Sequence, residues 1–61
     1  MVSKAEITAE DKYHCALREL KMRQKVYPRW VERGSMKADE AERELAVMAA
    51  IVEDYRPPRL L

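Results

Sequence analysis

The stretch LKMRQKVYPRWVERGSMKADEAERELAVMAAIVEDYR, residues 20–56, decides the fold. Its one glycine, Gly34, separates two runs in which apolar residues recur every three or four positions. Working back from Leu20, the first run comprises Tyr13, Leu17, Leu20, Gln24, Tyr27 and Val31, spaced alternately by four and three. That repeat lines one side of an α-helix. Gln24 is its single polar member, and Ala16 and Trp30 widen it. After Gly34 the same spacing links Ala41, Leu45, Met48, Val52 and Tyr55. No strand alternation and no internal repeat accompanies them. Two helices joined by so few residues must fold back on each other. The expected architecture is all-α, an antiparallel helical hairpin occupying residues 8–56.

The ends of both helices carry recognisable signals. Thr8-Ala9-Glu10-Asp11 has the form of a capping box, in which the Thr8 hydroxyl accepts a free N–H and an acid occupies the first turn. Residues 1–7 before it read as a loose leader. Gly34 suits a left-handed C-cap, because a residue without Cβ adopts positive φ at little cost. The second helix should start near Lys37 or Ala38, with Asp39 and Glu40 in its first turn where acids meet the helix dipole favourably. Pro57-Pro58 stops it, leaving Arg56 in the last turn. The tail, residues 57–61, ends in Leu60 and Leu61, which fray unless a hydrophobic neighbour covers them. Pro28 is the irregularity, since proline inside a helix removes one hydrogen bond and presses on the carbonyl of Gln24. Either the helix kinks at Tyr27-Pro28 or it stops there and a short piece follows. The stripe keeps its phase through Val31, which favours a kinked, continuous helix.

Composition excludes several classes. The chain of 61 residues has one Cys (Cys15) and one His (His14), too few for an internal disulfide framework or a four-ligand zinc site. An apolar content of 48% is too high for a disordered polyampholyte. The longest apolar run, residues 45–52, falls far short of the roughly 20 residues a spanning helix needs. No secretory signal is apparent behind Lys4 and Glu6. The expectation is a small cytoplasmic domain with no membrane association.

Size and patterning then argue for assembly. A domain of this length buries only about 60% of the surface its unfolded chain exposes, so small domains lean on disulfides, metals or association. With the first two excluded, a partner or a second copy is expected. Each helix also carries apolar residues beyond its core stripe: Cys15, Met22 and Val26 on the first, Val47 and Ile51 on the second. The simplest way to cover them is a two-fold dimer forming a four-helix bundle.

Charge is distributed unevenly. Residues 18–33 hold six basic and two acidic groups, whereas residues 34–56 hold three basic and six acidic. Arg18, Lys21, Lys25, Arg29 and Arg33 follow one helical line opposite the core stripe. They form either a solvated face, partly neutralised by the neighbouring helix, or an anion-binding stripe for nucleic acid or an acidic protein. Trp30, flanked by Arg29 and Arg33, has the composition favoured at binding hot spots and is the best single candidate for a partner contact.

Candidate chemistry is sparse. His14 and Cys15 are adjacent, so on a helix they diverge by about 100° and cannot act as base and nucleophile within one chain. Cys15 reads as a small buried apolar residue. The acids Asp39, Glu40, Glu42 and Glu44 lack the Glu-x-x-His spacing of a carboxylate metal site. Tyr13, Tyr27 and Tyr55 lie on core stripes and are expected inside. No catalytic residue, cofactor or metal ligand is expected, and the chain does not read as an enzyme.

Glu19, Leu20, Met22 and Arg23, then Val26, Tyr27, Pro28, Trp30 and Val31, then Gly34, and finally Ala50, Ile51, Val52, Asp54 and Tyr55 form a pattern. In it the chain resembles a group of short helical proteins encoded by bacteriophages and prophages. The resemblance implies context rather than a mechanism. It also implies Ser or Thr where Lys37 stands, so Ser35 or water must cap the second helix here. Small phage proteins of this kind act by stoichiometric binding. A homodimeric interaction module that modulates a host or phage protein is therefore the first functional expectation. An anion or nucleic-acid binder is the second, and a minor virion component the third.

Overall fold

The computed structural model describes residues 6–58. Among them are two helices and no strand: α1, Ala9–Glu32, and α2, Ala38–Tyr55, packed against each other as an antiparallel pair. The leader and tail readings fall largely on residues 1–5 and 59–61, Leu60 and Leu61 included, which lie outside the described residues.

The start of α1 follows its sequence signal. Thr8 Oγ1 accepts from the Asp11 N–H at 3.1 Å, and Asp11 Oδ2 accepts from the Thr8 N–H at 2.9 Å. Both halves of the capping box are therefore made. Replacing Thr8 with Ala should cost about 1 kcal/mol. For a domain of this size that lowers Tm by about 4–8 °C, readable by circular dichroism, and an unchanged Tm would show that the first turn frays without consequence.

α1 runs unbroken through Pro28. Pro28 has no N–H to give the Gln24 carbonyl, yet both residues lie on the exposed side, where water can satisfy that oxygen. The helix ends in a Schellman motif. Gly34, at φ +84°, donates to the Val31 carbonyl at 3.0 Å, and the Ser35 N–H donates to the Trp30 carbonyl at 2.8 Å. Lys37 is the N-cap of α2 and makes no side-chain cap bond. Ser35 does not replace it, because its hydroxyl accepts from Arg33 Nε at 3.3 Å. Asp39 serves instead, its Oδ1 accepting from the Glu40 N–H at 2.9 Å.

The core is thin. Ala16, Met48 and Val52 form its centre, with Tyr13, Leu17 and Leu20 half-buried around it. Tyr27 and Ala41 are buried nearer the loop. Val52, 1% exposed, is the one fully buried side chain among the described residues. Three sequence expectations need correction. Gln24 is exposed, and the seam beside it is taken by half-buried Arg23, because the packing line runs through Ala16 and Tyr27 rather than through Gln24. Tyr55 is exposed, since it is the last residue of α2; the Lys12 ammonium lies 5.8 Å from the centre of its ring. Cys15 is also exposed, because a single partner helix covers only one stripe of α1.

Candidate interaction surface

Arg23 ties the two helices together and defines which sides share a face. Its Nε donates to Glu19 Oε2 at 2.9 Å, its Nη1 donates to the Glu44 carbonyl at 3.3 Å, and Nη1 lies 3.7 Å from Glu44 Oε1. The guanidinium also sits 5.9 Å from the centre of the Tyr27 ring. The Glu19 hydrogen bond, followed by the electrostatic attraction of Tyr27, Glu19 and Glu44, raises the Arg23 pKa above its ordinary value despite partial burial. At the open end Arg56 plays a similar part. It grips both carboxylate oxygens of Glu53, the shortest contact being 2.7 Å, and donates from Nη1 to Tyr13 Oη at 3.2 Å. The hydrogen bond from Arg56 holds the Glu53 carboxyl below its usual range.

These two contacts fix the handedness and register of the pair. At about 100° per residue, Arg23 lies on the Cys15–Met22–Val26 side of the α1 packing line. By the same count Glu44 lies on the Val47–Ile51 side of the α2 line. Because Arg23 meets Glu44, those two sides form one face of the hairpin. Arg23 is level with Glu44 and Tyr13 with Arg56. Hence Ile51 falls near the level of Cys15, and Val47 falls between Glu19 and Met22. The five residues expected to mediate self-association are thus brought together. Met22, Val47 and Ile51 are 44%, 38% and 37% exposed, Cys15 is exposed and Val26 is half-buried. No spacing rule applied to one helix at a time reveals this union; it needs the Arg23–Glu44 contact.

Trp30 stands on the same side at the loop end, exposed, its ring centroid 5.4 Å from that of Tyr27. Arg29 and Arg33 beside it are exposed. Arg18, Lys21 and Lys25 project from the outer side of α1, and among the described residues none of these five cations forms an ion pair. His14, Leu17, Arg18 and Lys21 line an open cleft along α1. His14 and Cys15 are both exposed, and the His14 ring lies 5.3 Å from that of Tyr13. Among the described residues no group of three or more His, Cys, Asp or Glu side chains is placed to hold a metal ion, and no helix is long and apolar enough to cross a membrane.

Comparison with protein-family models, with curated proteins and with solved structures gives no match. The faces of the hairpin therefore carry the functional argument.

Proposed function

We propose that this chain is a non-enzymatic interaction module: a helical hairpin that dimerises into a four-helix bundle and acts by binding another protein. The observation that carries the reading is the gathering of Cys15, Met22, Val26, Val47 and Ile51 on one face of a hairpin whose own core is a single layer of side chains. A patch of that kind beside a polar outer surface is the usual mark of a protein–protein contact. In keeping with the resemblance to short phage and prophage proteins, the target is a host or phage protein in the bacterial cytoplasm, and the effect is to modulate or inhibit it. The contact point is the loop end, where Trp30, Arg29 and Arg33 are all exposed.

Affinity capture from host lysate, with the wild type and with Trp30→Ala, tests this. The wild type should retain a specific protein, and loss of an exposed aromatic anchor should weaken retention at least tenfold. Capture of nothing by the wild type removes the modulator reading.

A second reading rests on the cations of α1 that lack acidic partners: an anion or nucleic-acid binder using Arg18, Lys21, Lys25, Arg29 and Arg33. It requires binding that falls steeply with salt and disappears when Lys21, Lys25 and Arg29 are reversed in sign.

A further inference from the structure

The apolar face admits two ways of seating a second copy with two-fold symmetry. With the axis parallel to the helices, α1 stacks on the partner's α2. With the axis across the helices, α1 stacks on the partner's α1 and α2 on the partner's α2. Both cover Met22, Val47 and Ile51, so the hydrophobic effect alone does not choose between them. Charge does.

By helix, α1 holds six basic and four acidic side chains, net +2, and α2 one basic and six acidic, net −5. The crosswise axis places like-charged helices against each other and brings the two Glu19 side chains together near the centre. The parallel axis places the basic helix on the acidic one. Resting on the proposed self-association, we infer that the second copy docks with its axis parallel to the helices, α1 of each protomer lying on α2 of its partner.

The register within the hairpin then fixes the contacts, because rotation about an axis parallel to the helices leaves every residue at its own level. Cys15 comes level with the partner's Ile51, and Met22 lies within a turn of the partner's Val47. At the rim Arg29 approaches the partner's Glu40, Lys12 approaches the partner's Asp54, and Arg23 gains the partner's Glu44. Two like-charged approaches also arise, Lys25 to the partner's Arg43 and Asp11 to the partner's Asp54. Both lie toward the outside, where solvent screens them. Arg23 enters this interface with hydrogen bonds to Glu19 and Glu44 already made, so covering it leaves no orphaned guanidinium. The arrangement assigns Arg29 to the dimer rim. It also places the Trp30 and Arg33 of both protomers at one end of the bundle, on diagonally opposite helices.

Charge-swapped variants distinguish the arrangements. Arg29→Glu alone puts two acid–acid contacts into the dimer, and Glu40→Lys alone puts in two base–base contacts. Each should weaken dimerisation about tenfold or more, since two pairs change from attraction to repulsion. An equimolar mixture of the two variants should form a heterodimer close to wild-type affinity, because each rim contact again joins opposite charges. Sedimentation velocity and native mass spectrometry read both effects, with circular dichroism confirming that each variant stays helical. A mixture that dimerises no better than the separate variants, beside a dimeric wild type, overturns the parallel-axis arrangement and leaves the proposed dimer standing. A wild type that stays monomeric at hundreds of micromolar overturns both.

Discussion

Met48→Ala should leave the hairpin largely unfolded at 25 °C. Met48 is buried at the centre of the core against Val52 and Ala16. Truncating a buried Met to Ala costs about 2–5 kcal/mol, through lost transfer energy and the cavity left behind. A core of this size supplies no more than about 3–5 kcal/mol in all. The loss is therefore comparable to the whole stability of the fold. Far-UV circular dichroism should show the helical signal reduced by more than half, with no cooperative melt. Lys25→Ala, on the exposed outer side of α1, should melt as the wild type does. A cooperative Met48→Ala transition near the wild-type Tm would mean that the stability resides elsewhere.

Ile51→Glu should abolish self-association while leaving the hairpin folded. Ile51 is 37% exposed, so the hairpin's own packing uses only part of its surface. Fully burying such a side chain contributes about 1.5–3 kcal/mol, of which the exposed third is left for the proposed interface. Putting a carboxylate there removes that gain and adds the cost of desolvating a charge. Two-fold symmetry doubles both effects. The dimer dissociation constant should rise by a hundredfold or more, each tenfold being about 1.4 kcal/mol. Analytical ultracentrifugation at micromolar concentration measures it. Gln24→Glu, a polar change on the opposite side of the packing line, serves as the control and should leave the dimer intact. Equal loss from both substitutions would place the association surface on some other face.

Much of the fold was legible because helix signals are local. The Thr8–Asp11 box, the Gly34 turn and the period of the two stripes each depend on residues within a turn of one another, and each is found in the structure. The angular centre of the packing was not legible to better than one residue. Spacing alone placed Gln24 on the seam. Arg23 occupies it instead, since its long stem can lie along the interface while its head reaches Glu19 and Glu44. Tyr55 and Cys15 were assigned to the interior from spacing and residue type. Whether a stripe is covered depends on how far the opposing helix extends and how wide an arc it shields, which neither reveals. The candidate surface was legible only in halves: Cys15, Met22 and Val26 on one helix, Val47 and Ile51 on the other. Their union depends on the rotation of α2 about its own axis, and that information lies in a contact between residues far apart in the chain.

That Val52 is the single fully buried side chain among the described residues has a consequence for how the protein would behave in a cell. If the proposed dimer completes so thin a fold, mass action applies: the folded fraction rises with the chain's own abundance. Below the dissociation constant of the proposed dimer, each chain opens to proteases more often than it does above it. Once expression passes the dimer dissociation constant, each new chain protects another. An activity belonging to that dimer would rise gradually with expression and fall as dilution or cell division lowers the concentration. Such a chain would need no separate regulator to be quieter when scarce, because the number of copies would set its lifetime.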